Sequence, residues 1–222
     1  MLALPLRECP RIASRAPAND EIDFARLVGT TGWGRLPDAV RRRFAHAPSL
    51  GREDHYSGTM QVVACSRLGF ALAQASRLIR TPFAPFAAEN VAVRIALKKS
   101  PRGNGIVWER TYLYPGRAPI RVCSTKRLAS DGVLTERVGG GFGMRLAVYE
   151  ENRALHFCST RYFLRIGPLE IPLPHFLSPG VAHVIHSDLG NDHFRFEMTI
   201  RHAVFGTLFH QDGTFHADGD SP

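Results

Sequence analysis

The feature that most constrains this chain is an alternation of apolar and polar residues that recurs in short segments from residue 91 to residue 217. Val93 and Ile95 flank Arg94, and Phe194 and Phe196 recur with the same two-residue period. Successive side chains of a β-strand point to opposite faces, so this period predicts strands with one buried and one wet face. With one earlier segment, the pattern predicts strands at 56–63, 91–98, 106–114, 120–128, 133–138, 142–149, 154–166, 181–187, 193–201 and 204–210.

Turn-forming residues separate these segments, as at Pro115-Gly116 and Asp131-Gly132. A spacing of roughly 10 to 15 residues predicts hairpins and hence an antiparallel sheet. We therefore predict a mainly β protein with minor α content, a calycin-like antiparallel barrel or strongly curved sheet of about nine strands. The alternative is a helix-grip α+β fold, which normally ends in a long C-terminal helix, and residues 205–222 show no helical period.

The domain organisation follows from the contrast between the two ends of the chain. Residues 1–19 contain three prolines and little periodicity, which predicts a flexible N-terminal tail. We expect a single β-rich domain over residues 20–217 and a short C-terminal tail at 218–222.

Helical spacing of apolar residues predicts two or three helices before the second strand, near 21–29, 37–45 and 66–80. Asp20 and Ser66 are predicted to cap the first and the third. The third helix and the aromatic linker at 83–86 lie between the first and second strands, and we expect the N-terminal helices to cover one opening of the barrel.

Composition excludes several classes of function. The net charge of +8 is spread over outward positions, and no stacking-aromatic or helix-turn-helix pattern accompanies it, so we expect no nucleic-acid partner. No stretch approaches the roughly 18 apolar residues of a membrane-spanning helix, and Met1 starts no secretory signal, so we expect no transmembrane segment and a cytoplasmic location.

The four cysteines are far apart in the sequence, which predicts reduced thiols rather than a disulfide framework or a zinc site; they are Cys9, Cys65, Cys123 and Cys158.

Several short motifs lie within the β pattern: Trp108-x-Arg110-x-Tyr112, Leu134-x-Glu136, Ile171-Pro172-Leu173-Pro174 before Leu177-x-Pro179, Phe194-x-Phe196, Phe205-Gly206-x-Leu208 and Gly213. Together they resemble the bacterial domain-of-unknown-function 4166 family over about residues 24–215. The family has no assigned activity. In some members a dehydrogenase-like nucleotide-binding domain, absent from these residues, precedes it, which implies an oxidoreductase-type protein partner. One departure is Gln211-Asp212-Gly213, where the family has Tyr-x-Gly.

Two charged residues within this pattern fall on apolar strand faces. Arg110 shares a face with Trp108 and Tyr112, and Glu136 lies between Leu134 and Val138. A buried charge is costly unless it is paired, so we predict that Arg110 and Glu136 meet inside the sheet. Such a pair would either anchor a ligand in an apolar cavity or serve only as a core ion pair.

No motif predicts catalysis, a metal or a cofactor. In a strand, His183 and His186 face opposite sides and cannot share a metal, and we expect the histidines after His175 to lie at surfaces and edges. Gly139-Gly140-Gly141 precedes no helix, which favours a hairpin over a phosphate loop. Cys158 has no identifiable histidine partner.

The sequence thus favours a binding module for a small apolar or amphipathic ligand. The candidate ligand-binding residues are Trp108, Arg110, Tyr112, Glu136, Phe194 and Phe196. The alternatives are an accessory module that docks on a partner enzyme through the sheet or the 83–86 linker, and a cavity enzyme of the isomerase or cyclase type.

Overall fold

The computed structural model describes residues 21–78, 86–101, 103, 105–167 and 169–219. The predicted tail at 1–19, the cap at Asp20, the helix end at 79–80 and most of the 83–86 linker lie outside these residues. Phe86 is described, and its ring packs against Tyr114 and under the Arg117 guanidinium.

Burial alternates most clearly along the strands Ala88–Lys99 and His193–His202, where the two-residue period was a correct guide to the sheet. Within the described residues the strands are β1 (Glu53–Cys65), β2 (Ala88–Lys99), β3 (Ile106–Leu113), β4 (Ile120–Leu128), β5 (Leu134–Arg137), β6 (Phe142–Glu151), β7 (Ala154–Ile166), β8 (Leu169–Pro172), β9 (Val181–Gly190), β10 (His193–His202) and β11 (Gly206–Ala217). The helices are α1 (Phe24–Val28), α2 (Thr30–Arg35), α3 (Asp38–Ala45) and α4 (Arg67–Leu78). Two short 3-10 helices span Gly139–Gly141 and His175–Leu177.

Ten of these strands form a closed antiparallel barrel, and β8 is an extra strand at its side. Neighbours follow chain order from β1 to β7, then pass through β9, β10 and β11 back to β1. β7 pairs with both β6 and β9, and the pairing of β11 with β1 closes the circle. Closure removes exposed strand edges, the most general hazard of an isolated sheet.

The predicted mainly β antiparallel barrel is therefore confirmed, and the helix-grip alternative is wrong. The strand that the sequence did not predict is β8, which pairs with the end of β7 from Ile166↔Leu169 to Phe163↔Pro172. It diverts the chain away from β9, whose pairing with β7 is confined to Leu155 through Cys158.

The first predicted helix, near 21–29, is present as α1, and α2 is an additional helix that the sequence did not predict. Asp23 caps α1 by accepting a hydrogen bond from the Arg26 amide at 3.0 Å. Gly29, with φ of +83°, ends α1, and α2 begins at the next residue. Gly32 and Gly34 lie inside α2.

The two later helices lie within 37–45 and 66–80. Pro37 occupies the N-cap position of α3, and Ser66 accepts the Gly69 amide at 3.0 Å before α4. Neither helix is long and apolar enough to cross a membrane, and the same holds for the other helices of the described ranges.

Among the three cysteines that the structure describes, the prediction of reduced thiols was wrong for one. Cys65 and Cys123 are free, as expected, whereas Cys158 is disulfide-bonded.

Helices α1 to α3 close one end of the barrel. Val40 and Phe44 of α3 point into the barrel and are almost wholly buried. The Phe44 ring lies 5.2 Å from Phe24, 5.8 Å from Phe157 and 6.2 Å from Trp108, measured between ring centroids. This aromatic cluster joins the helices to strands β3 and β7 and forms a floor beneath the barrel interior.

Removal of the central ring should open this floor. We expect Phe44→Ala to lower the free energy of unfolding by about 3 to 5 kcal/mol, because it removes buried surface and leaves a cavity. Urea denaturation followed by circular dichroism measures the change. Phe176→Ala is the matched control, since Phe176 is 80% exposed against 3% for Phe44, and it should change stability by less than about 0.5 kcal/mol. Equal effects of the two substitutions would contradict the proposed floor.

Candidate functional site

The interior of the barrel contains a cavity of about 520 Å³. Its wall is mainly apolar and includes Val122, Leu146, Phe157, Val184, Met198 and Leu208. Protein interiors normally pack to the density of organic crystals, with few voids larger than a water molecule. A cavity of this size lies within the range of small-molecule sites and is not a packing defect.

Five of the six residues predicted from the sequence line this cavity, namely Trp108, Arg110, Tyr112, Glu136 and Phe196. The sixth, Phe194, does not line it. Its ring lies 3.6 Å below the Arg43 guanidinium and stacks on Phe215, so it forms part of the floor. The prediction that it would contact a ligand there has no support from its position.

Arg110 and Glu136 do approach each other, as predicted, but they are joined by a second cation. The Glu136 Oε2 atom is 3.0 Å from the Lys126 Nζ atom, whereas Oε1 is 4.0 Å from the nearest Arg110 nitrogen. Arg110 also donates a hydrogen bond to the Ser124 hydroxyl at 3.2 Å. We call Arg110, Ser124, Lys126 and Glu136 the ionic cluster. Its members come from the adjacent strands β3, β4 and β5.

The ionic cluster holds its carboxyl group in the charged form. Burial opposes ionisation of Glu136, but the positive charges of Lys126 and Arg110 outweigh burial, and the pKa of Glu136 is lowered overall. Burial lowers the pKa of Lys126, and the attraction of Glu136 opposes that change. The Lys126 ammonium also lies 4.7 Å above the Trp108 ring, where the π face stabilises a cation.

Three buried nitrogen atoms around the cavity have no hydrogen-bond partner among the described residues. They are Nε of Arg110, Nε1 of Trp108 and Nδ1 of His186. By contrast, Tyr112 is satisfied, because its hydroxyl donates to the Gln211 side chain at 2.8 Å. An unpaired buried donor costs about 1 to 3 kcal/mol, so its presence in a native interior calls for an explanation.

Comparison with known proteins places the chain in a family. A family model described as a domain of unknown function, DUF4166, matches residues 36–215. The chain belongs to the DUF4166 family. No curated protein and no solved structure matches it. The resemblance inferred from the short motifs is thus confirmed, and the family itself has no assigned activity.

The barrel of this DUF4166 chain also contains functional candidates that the sequence did not reveal, above all Lys126 and Ser124. Lysine is almost never fully buried, so a lysine in an alternating strand is normally assigned to the wet face. The signal was present nonetheless, because Ser124 and Lys126 share the strand parity of Val122, which faces inward.

His186 is the other residue that was misjudged, since it was expected at a surface or edge and is 3% exposed. The rings of Phe44, Phe196 and Trp108 surround it at centroid distances of 5.1, 5.4 and 5.9 Å. Burial, reinforced by nearby cationic groups, holds the pKa of His186 well below its ordinary value, so its ring is neutral at neutral pH.

The prediction that His183 and His186 face opposite sides is confirmed. His183 packs with His156 on the outer side of the barrel, where its Nε2 atom is 3.0 Å from Nδ1 of His156. In the part of the chain that the structure describes, no group of three His, Cys, Asp or Glu residues could hold a metal ion.

The end of the barrel opposite the floor forms the mouth of the cavity. Leu68 and Leu72 of α4, Phe176 and Leu177 of the second 3-10 helix, and Phe205 at the β10–β11 turn line the cavity there and are all exposed. We call these five residues the rim. Large exposed apolar side chains in one place normally mark a binding or interaction surface.

Neutral His186 makes a specific prediction for the pH dependence of stability. Below pH 6.5 the unfolded chain binds a proton at this residue and the folded chain does not, so the contribution of His186 is fully present above pH 6.5 and is lost below it. The loss should be about 1.4 kcal/mol for each pH unit below this value. Chemical denaturation of His186→Gln between pH 5 and 8 should show a shallower pH dependence than the wild type.

The matched control is His216→Gln, at an exposed position of β11, which should keep the wild-type pH dependence. A His186→Gln profile parallel to that of the wild type would contradict the assignment of a neutral, buried imidazole.

Proposed function

We propose that this DUF4166 domain binds a small apolar or amphipathic molecule inside the barrel. The observation that carries the proposal is the mainly apolar cavity of about 520 Å³ with a compact polar cluster in its wall. Small-molecule sites typically combine these two elements, since apolar walls supply affinity and a few placed polar groups fix orientation.

The inward-facing side chains support a binding role over a purely structural one. Val184 and Met198 point into the barrel but are only partly buried, whereas Leu134 and Leu155 at the floor are fully buried. The interior is therefore close-packed at one end and open at the other. A ligand with an apolar body would remove the remaining apolar surface from water, at roughly 25 cal/mol per Å².

The ionic cluster would orient such a ligand. It lies in the same cavity as the apolar wall, and its charges are fixed by contacts with one another rather than by solvent. The rim provides an entrance at the end of the barrel opposite the floor, and its apolar side chains can contact a ligand before it enters. We therefore propose entry of the ligand with its polar group leading.

A second candidate function rests on the same rim. Phe176 is 80% exposed and the adjacent Leu177 is 62% exposed, which also suits an accessory module that docks on a partner protein, with an oxidoreductase-type enzyme as the partner proposed by family analogy. The two candidates differ in what the barrel contains. Docking needs no ligand in the cavity, whereas binding does.

An acid–base enzyme has less support. Two cations hold the pKa of Glu136 low, so this carboxylate is a weak proton acceptor. The imidazole of His186 lines the cavity, but it is neutral and packs against the rings of Phe44 and Phe196.

Native mass spectrometry tests the binding function directly. The protein purified from its own host should carry a small molecule at stoichiometric amount, which denaturation and solvent extraction should release. Val184→Phe should reduce the retained amount by at least tenfold, because the larger side chain fills the cavity. Ile185→Phe, the same substitution at the next residue of β9 on the outer face, is the matched control and should retain the molecule.

A protein without any retained molecule, and with no binding of an added apolar probe such as N-phenylnaphthylamine, would overturn the binding function and favour docking. Equal retention in the Val184→Phe and Ile185→Phe variants would place the molecule outside the barrel.

A further inference from the structure

We propose that the ligand of the barrel carries a single negative charge, in the form of a carboxylate, and that Arg110 is the residue that binds it. This inference rests on the proposed binding function and adds the chemical class of the ligand. Three independent observations point to it: the charge balance of the cavity wall, the commitment of Lys126 to Glu136, and the nature of the unpaired polar atoms.

The first observation is an excess of one positive charge. Arg110, Lys126 and Glu136 line the cavity and are almost wholly buried, with side-chain exposures of 12, 9 and 8%. The other titratable groups in the wall are two tyrosines, neutral His186, and His202 near the rim. Buried charges are normally balanced by partners, so one uncompensated cation in an apolar wall favours a monoanion.

The second observation identifies which cation is available. Lys126 contacts Glu136 at 3.0 Å and also lies over the Trp108 and Phe157 rings, so its charge is already compensated. Arg110 reaches Glu136 only at 4.0 Å, and it donates a hydrogen bond to the neutral Ser124 hydroxyl. A planar guanidinium presents five N–H donors and can bind a carboxylate through two parallel bonds while it keeps these contacts.

The third observation is that the unpaired polar atoms of Arg110 and Trp108 are hydrogen-bond donors. Nε of Arg110 and Nε1 of Trp108 have no partner among the described residues, and both are N–H donors. The two residues lie two positions apart on β3 and face the same cavity. A pair of buried donors beside an uncompensated cation is complementary to acceptor oxygens, whereas an ammonium or an amine ligand would leave both donors unpaired.

The size of the charge distinguishes a carboxylate from a phosphate. A phosphate monoester carries about 1.5 to 2 negative charges at neutral pH, which one uncompensated cation does not balance, and Glu136 would repel the remainder. A carboxylate carries one charge and matches the guanidinium geometry. We therefore infer an amphipathic monocarboxylic acid as the class of ligand.

Isothermal titration calorimetry with three probes of equal chain length tests this inference. Octanoate, octanol and octylamine differ only in their terminal group. We expect octanoate to bind most tightly to the wild-type protein at pH 7.5, octanol more weakly, and octylamine most weakly. Arg110→Met should weaken octanoate binding by about ten- to a hundred-fold, the value of a charge-assisted hydrogen bond, and should leave octanol binding within twofold.

Two further variants serve as controls, one expected to leave binding unchanged and one expected to strengthen it. Arg121→Met removes an outward-facing arginine of β4 that is 68% exposed and should leave all three affinities unchanged. Glu136→Gln removes the repelling carboxylate and raises the excess charge, so it should tighten octanoate binding. If Arg110→Met does not fold, Arg110→Lys keeps the charge without the two-pronged geometry and should weaken octanoate several-fold, with octanol unchanged.

The outcomes separate this inference from the function on which it rests. Equal affinities for the three probes, or the tightest binding for octylamine, would overturn the carboxylate assignment and leave an apolar binding site intact. An octanoate affinity unchanged by Arg110→Met or Arg110→Lys would overturn the role of Arg110. Absence of binding of all three probes and of any retained natural compound would overturn the proposed function itself.

Discussion

The pairing between the first and last strands, β1 and β11, is the contact on which the rest of the structure depends. It converts a meander of hairpins into a closed barrel, so the inward side chains face a shared interior instead of solvent or a second layer. A barrel of ten strands encloses more space than its own side chains fill at one end, because barrel diameter grows with strand number. The cavity is therefore a consequence of closure and strand number together.

The two ends of the barrel solve different problems. At the floor, α3 inserts Val40 and Phe44 among the rings of neighbouring strands and removes the interior from water. At the mouth, α4 packs through Ala73 against the start of β11, yet leaves Leu68 and Leu72 exposed. Among the described residues only the floor end is sealed, so the mouth is the route into the barrel, and the ionic cluster lies along the wall of that route.

Strand alternation was sufficient to predict most of the barrel, because strands such as β2 and β10 have one wet and one buried face. It failed at β8, where Pro172 ends a strand of four residues and leaves little period to read. Helical spacing did not predict α2, which directly follows Gly29, a residue whose positive φ separates it from α1. The inward position of Arg110 and Glu136 was predictable from parity. Parity also places Lys126 on the inward face, but residue type argued for exposure of Lys126 and His186, and only the neighbours Glu136 and Phe44 explain their burial.

The sequence argument treated Arg110 and Glu136 as a balanced pair, and a balanced pair carries no information about a ligand. Lys126 changes that conclusion, because it forms the closer ion pair with Glu136 and balances the charge of that carboxylate. Arg110 is then left with a positive charge that the wall does not neutralise. Burial of an unneutralised guanidinium opposes folding unless another group offsets it. The same arrangement keeps Glu136 ionised, so it cannot serve as a proton donor at neutral pH. The charge asymmetry of three neighbouring strands thus supports recognition of an anion over chemistry on it.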